Sequence, residues 1–148
     1  MRILLQRVSR AAVRAGGKPV AEIGPGLLLL VGVGREDGFG EYDRLAEKVF
    51  NLRVFQDAEG KMNRSLSDVG GEVLVVPQFT LYGSVRKGRR PSWDRAAPPE
   101  IAADRVEAFA RALEARGATV RRGAFREHME VELLNDGPVT LWIDAAEL

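Results

Sequence analysis

Arg2-Ile3-Leu4-Leu5-Gln6-Arg7-Val8-Ser9-Arg10-Ala11-Ala12-Val13, then Gly16-Gly17, Val20-Ala21-Glu22-Ile23, Gly24-Pro25-Gly26 and the run Leu27-Leu28-Leu29-Leu30-Val31-Gly32-Val33: this opening decides the fold. Apolar and β-branched stretches divided by glycine and proline turns predict three consecutive strands. The run at 27–33 ends in Gly34-Arg35 and falls well short of the roughly 20 apolar residues that span a bilayer. It reads as a strand buried in the core.

Beyond this opening, Leu45, Val49 and Leu52, with Tyr42 and Phe50 beside them, recur at helical spacing against Glu41, Arg44, Glu47 and Lys48. An amphipathic helix over residues 41–52 is expected to pack on the sheet. Asp57-Ala58-Glu59-Gly60 reads as a turn, residues 63–71 as a loop, and Glu72-Val73-Leu74-Val75-Val76 as a buried strand stopped by Pro77. A second helix should follow Pro98-Pro99 over residues 100–116, with Ile101, Val106, Phe109, Ala110 and Leu113 inside and Gly117 as its stop. Late strands are expected at 119–124, 129–134 and 139–143, the last two separated by an Asn135-Asp136-Gly137-Pro138 turn. The expectation is one α+β domain over residues 1–148, a mostly antiparallel, barrel-like sheet with two main helices.

With 148 residues and 45% hydrophobic content the chain can bury one sizeable core. The N-terminus lacks a signal peptide's apolar segment and cleavage site, so a cytoplasmic location is expected. No cysteine occurs, which removes disulfides, thiolate metal sites and cysteine nucleophiles, and His128 is the single histidine. No metal site is expected, because carboxylates near Arg126-Glu127-His128-Met129 show no ligand spacing. None of Ser65, Ser67, Ser84 or Ser92 sits between the glycines of a nucleophile elbow. The formal charge of +1 leaves any attraction to nucleic acid to local patches.

Three segments stand out from the scaffold. Pro77-Gln78-Phe79-Thr80-Leu81-Tyr82-Gly83 follows a buried strand, where sites are commonly placed. It is either a strand end with Phe79 and Leu81 in the core, or a site whose Phe79 and Thr80 backbone N–H groups stabilise an oxyanion, with the Thr80 hydroxyl as a further hydrogen-bonding group. Arg86-Lys87-Gly88-Arg89-Arg90-Pro91-Ser92-Trp93 is either a solvated charge run or a phosphate-holding loop. Asn135-Asp136-Gly137-Pro138-Val139-Thr140 has the composition of a β-turn.

Together with Gln6-Arg7-Val8-Ser9, Asn51-Leu52-Arg53-Val54-Phe55 and Gly60-Lys61-Met62-Asn63, these segments make the chain resemble the bacterial-type D-aminoacyl-tRNA deacylases nearly end to end. The resemblance implies a homodimer that hydrolyses the ester between a D-amino acid and the acceptor end of tRNA, without cofactor, and that also removes glycine mischarged on alanine tRNA. It implies a site of Gln78, Phe79 and Thr80 completed by Gly137 and Pro138 of the other subunit, joined by a cis peptide, braced by Arg7 and acting as a chiral filter. Met129 would lie at the adenosine pocket and Arg86, Lys87, Arg89 and Arg90 along the tRNA. The terminal ribose 2′-hydroxyl would assist hydrolysis in place of a side-chain nucleophile. Two departures stand out: Pro77 replaces the family's serine, and Arg126-Glu127-His128-Met129 keeps only the methionine of its Gly-Ala-Asp-Met pattern. Phe79 and Val139 align the chain with the D-specific branch rather than its animal sister group.

Overall fold

The computed structural model describes residues 1–38 and 40–148. Its opening strands are β1 (Arg2–Ala15), β2 (Lys18–Ile23) and β3 (Gly26–Gly32), followed by α1 (Glu41–Asn51), the small β4 (Phe55–Gln56) and β5 (Met62–Arg64), the short α2 (Leu66–Val69) and β6 (Glu72–Pro77). A 3₁₀ turn (Phe79–Tyr82), α3 (Pro99–Ala115), β7 (Thr119–Arg122), the long β8 (Met129–Asp144) and a last 3₁₀ turn (Ala145–Glu147) complete the chain.

β1 organises the main sheet. Its first half pairs with β3, its second half with β2, and β8 runs antiparallel along both. β3, β6 and β7 continue the sheet with parallel neighbours, so antiparallel and parallel ladders are mixed. The free ends, β2 and β7, approach each other and give the nearly closed, barrel-like shape.

The unbroken apolar run of β3 follows from burial on both faces, since a strand covered on one face only would alternate with polar residues. Leu27, Leu29 and Val31 join Ile3, Leu5, Val73 and Val75 under α1 and α3, where Leu45, Val49, Val106, Phe109 and Leu113 meet them. Leu28, Leu74 and Val76 turn the other way, into a second cluster with Val8, Ala11, Val13 and Ile23. Gly26 allows β3 and β6 to meet: a Cβ there would lie 1.9 Å from the Glu72 carbonyl oxygen.

Four expectations are corrected. The strands expected at 129–134 and 139–143 are one strand, because both stretches pair with β1 in the same direction and the chain never reverses at Asn135-Asp136-Gly137-Pro138. Gln6 faces Thr140 and Val8 faces Asn135, so residues 136–139 bulge out opposite Arg7 alone. The loop expected at 63–71 contains β5 and α2, the latter capped reciprocally by Ser65 and Asp68. The expected strand at 119–124 stops at Arg122. In α3, Ile101 lies at 44% exposure while Ala102 is buried, because the first turn presents its inner face one residue later than the pattern implied.

The surface carboxylates set the response to acid. Hydrogen bonds from Arg122 hold Glu107 and Glu114 below the usual glutamate range, against the opposing effect of burial. Burial pushes Asp144 up, but the Ala146 N–H and Arg2 outweigh it and leave its carboxyl lowered. Groups depressed in the folded state stabilise it above the unfolded carboxylate pKa and lose that contribution as pH falls through the folded value. The melting temperature should therefore be insensitive to these groups between pH 8 and about 5 and fall below about pH 4. Calorimetric scans across that range check it.

Candidate active site

The parallel ladder brings β6 to its end beside β3. Pro77 has no N–H to give, and the Gln78 N–H instead donates to the Val31 carbonyl at 2.7 Å. The chain then tightens into the turn Phe79–Tyr82, which packs directly on the end of β3. A Cβ at Gly32 would lie 2.9 Å from the Gln78 carbonyl oxygen, and one at Gly34 would lie 2.5 Å from the Tyr82 ring. Glycine at both places lets the turn sit against the backbone. The Tyr82 hydroxyl donates to the Asp37 carboxylate at 3.0 Å, and burial together with that negative charge raises its pKa. Tyr82 anchors the turn and has no accessible proton chemistry near neutral pH.

Within the turn, the Gln78 amide Nε2 donates to the Thr80 Oγ1. The first N–H groups of any helical turn have no acceptor inside it, which leaves those of Phe79 and Thr80 available to a ligand. Phe79 is 54% exposed, which corrects the reading that buried it in the core, and its ring meets Trp93 edge-on at 5.3 Å.

A cavity of about 720 Å³ opens beside this turn, lined among others by Gln78, Phe79, Trp93, Phe125, His128 and Met129. Val31, Val33, Val76, Pro98, Ala102 and Val106 make much of its surface apolar, with Arg35, Arg126 and Glu127 as its remaining charges. Among the described residues its wall contains no serine, threonine, cysteine, tyrosine or lysine. Nor do the described residues include a group of three His, Asp or Glu placed to hold a metal ion.

The second set of expected residues lies apart from this cavity. Arg7 is 4% exposed, and its Nε donates to the Asp136 carbonyl at 3.1 Å and meets the Asp136 Oδ2 at 3.0 Å, while its Nη1 donates to the Val54 carbonyl. The Asn135 Nδ2 donates to the Arg7 carbonyl at 2.9 Å and to that of Val139 at 3.2 Å, drawing the two ends of the bulge together. Gly137-Pro138 is a cis peptide at the exposed tip. Within one chain, therefore, Gln78, Phe79 and Met129 gather on the cavity with Thr80 beside them, and Arg7, Gly137 and Pro138 gather elsewhere.

The basic residues form a third place. Arg86, Lys87, Arg89 and Arg90 are exposed on a loop whose base is closed by paired backbone hydrogen bonds between Ser84 and Ser92, and none of the four is in an ion pair among the described residues. They do not line the cavity. Sequence reasoning missed Arg35, Pro98, Pro99, Phe125 and Val131 as wall residues; only the aromatic Trp93 directly after the cationic loop offered a signal.

A family model described as D-Tyr-tRNA(Tyr) deacylase matches residues 4–144. The chain belongs to that family. Among relatives of this deacylase family, the D-aminoacyl-tRNA deacylase of Symbiobacterium thermophilum is 58% identical over 98% of this chain and 96% of its own length. That of Thermomicrobium roseum is 58% identical over 100% and 96%. A solved structure described as a c-Myc DNA unwinding element binding protein superposes with TM-score 0.90 at 38% identity, covering 97% of this chain and 98% of that one. A second, described as a probable eukaryotic D-amino acid tRNA deacylase, has TM-score 0.78 at 17% identity over 96% and 97%, which shows the common fold. No helix among the described residues is long and apolar enough to cross a membrane.

Proposed function

We propose that this chain, acting as one domain in the cytoplasm, hydrolyses the ester of D-aminoacyl-tRNA. The observation that carries this reading is the cavity wall: a mostly apolar chamber, with the N–H groups of Phe79 and Thr80 beside it and, among the described residues, no hydroxyl, thiol or amine side chain in the wall. Such a chamber must draw its reactive hydroxyl from outside. The ribose 2′-hydroxyl next to the ester supplies one at high effective concentration, and the turn's N–H groups stabilise the charge on the carbonyl oxygen as it develops. The terminal adenosine occupies the Met129 end and the ester the Phe79 end. Relatives 58% identical to this chain are named as D-aminoacyl-tRNA deacylases.

Discrimination by hand needs a surface facing the α-carbon. Gly137 and Pro138 of a second copy supply it: they protrude, Arg7 and Asn135 hold the bulge that carries them, and they stand away from their own chain's cavity. Leu134, Leu141 and Trp142, exposed along β8 on either side of the bulge, give the homodimer an apolar contact. In this arrangement an L side chain collides with the bulge backbone, a D side chain points into open space, and achiral glycine, including glycine mischarged on alanine tRNA, is accepted.

A second reading, a nucleic-acid-binding protein without turnover, draws on the unpaired cationic loop and on the 38%-identical structure, whose name describes a DNA-binding protein. Single-turnover incubation with D-Tyr-tRNA separates the two. The deacylase reading expects free D-tyrosine within minutes at micromolar enzyme; intact ester on saturating protein overturns it.

His128 stands exposed at the rim, and hydrolysis assisted by the RNA does not use it. His128→Ala should leave the single-turnover rate within about threefold of the parent, whereas removal of a general base typically costs about 10²- to 10⁴-fold. A loss of that size, with a pH profile governed by one imidazole, would overturn the substrate-assisted mechanism.

A further inference from the structure

The turn Phe79–Tyr82 has a recess at each end. Phe79 walls the cavity, and Tyr82 walls a smaller pocket of about 260 Å³ completed by Ser84, Arg86, Ser92, Asp94 and Arg95. The two lie side by side along the chain, because Trp93 faces the cavity while its neighbours Ser92 and Asp94 face the pocket. The pocket is built rather than incidental. Ser84 and Ser92 exchange two backbone hydrogen bonds of 2.9 Å, and Trp93 packs so closely on Gly83 that a Cβ there would lie 2.5 Å from its ring. These contacts fix the floor between the turn and the cationic loop.

The donor set is selective. Two guanidiniums, Arg86 and Arg95, suit a phosphodiester, and the two serine hydroxyls can donate to its oxygens. Asp94 does not fit a bare anion site, since its carboxylate repels phosphate and can only accept hydrogen bonds. Cations with one anionic acceptor beside them instead match a phosphodiester carrying a neighbouring hydroxyl, which is the sugar-phosphate of RNA and not of DNA. Tyr82 offers no open ring face for a base, because it is buried and Arg2 stacks on it at 4.4 Å.

We propose that this pocket binds the penultimate ribose-phosphate of an RNA 3′ end whose terminal nucleotide occupies the cavity, with Arg86 and Arg95 on the phosphodiester and Asp94 accepting the penultimate 2′-hydroxyl. The proposal rests on the deacylase reading, and it adds a subsite that recognises RNA as such one nucleotide before the ester.

The test uses the protein, its Arg95→Ala and Asp94→Ala variants, and three substrates: D-Tyr-tRNA, the same tRNA with a single 2′-deoxy penultimate nucleotide, and D-tyrosine esterified to free adenosine. Arg95→Ala should raise KM for D-Tyr-tRNA about tenfold, leave kcat near the parent and lower the salt slope of binding by about one. Its turnover of D-Tyr-adenosine, which cannot reach the pocket, should match the parent and shows that the variant is folded. The deoxy substitution should raise the parent's KM severalfold and have no effect in Asp94→Ala, which lacks the acceptor. A KM within twofold of the parent for Arg95→Ala, or a deoxy effect that persists in Asp94→Ala, overturns the subsite while the deacylase reading stands. If the parent hydrolyses neither D-Tyr-tRNA nor D-Tyr-adenosine, both fall.

Discussion

Arg7→Ala should lower kcat/KM for D-Tyr-tRNA about a hundredfold, because hydrogen bonds to a charged group are worth about 1.5–3 kcal/mol and each 1.4 kcal/mol is tenfold in rate. The guanidinium stands opposite a four-residue bulge and binds Asp136 twice, by its carbonyl and its carboxylate, as well as Val54. Without it, the Val54 carbonyl and the bulge backbone lose their donors, and the bulge that carries Gly137 and Pro138 loses its contact to the buried Arg7 cation. Arg7→Lys should recover little, since one ammonium on a flexible stem cannot reproduce a planar fork reaching two elements. The same variants should melt several degrees lower. Rates for Arg7→Ala within threefold of the parent, on folded protein, would show that the bulge holds its shape without this residue and takes no part in the reaction through it.

The largest effect on stability is expected at Gly26. An alanine Cβ there would lie 1.9 Å from the Glu72 carbonyl oxygen and 2.8 Å from both the carbon and nitrogen of the same residue, all backbone atoms of a central parallel ladder. The strands must separate where the core of both clusters begins. Gly26→Ala should cost about 3 kcal/mol or more, which for a chain of this length lowers Tm by about 6–12 °C. Gly16→Ala makes a useful contrast. Its φ of +56° is unfavourable for alanine, but a Cβ there meets nothing within 4 Å, so the cost should stay near about 1–2 kcal/mol. Thermal melts of the two variants would contradict this account if Gly16→Ala proved the more damaging.

The pattern of the chain made much of this architecture legible. Three opening strands, a helix at 41–51 and the apolar strand ending at Pro77 follow from local periodicity, which hydrophobic burial on one or both faces writes directly into the sequence. Asn135-Asp136-Gly137-Pro138 shows the limit. Turn composition describes the backbone dihedrals it can adopt, but whether the chain reverses or bulges depends on which strand its two flanks pair with, and both pair with β1. The parallel placement of β6 beside β3 is likewise non-local, and the cavity wall depends on it: Val31 comes from β3, Val76 from β6 and Phe125 from the turn between β7 and β8. Phe79 stood out by its place after a buried strand, and Gln78 and Met129 as site candidates through family resemblance, whereas Pro98 and Pro99 read only as a helix start and become wall residues when α3 docks.

The proposed reaction cleaves an ester on RNA with a choice of hand imposed by a second copy of the chain. Single-turnover hydrolysis of D-Tyr-tRNA and L-Tyr-tRNA by the same preparation, with its association state followed by sedimentation across a dilution series, tests it most directly. A collision of the L side chain with the bulge, costing about 3 kcal/mol or more, predicts a D-to-L rate ratio of at least about a hundredfold, observed wherever the dimer persists and lost with the activity when it dissociates. Equal rates on the two esters, or a monomer that still prefers the D form, would contradict the account.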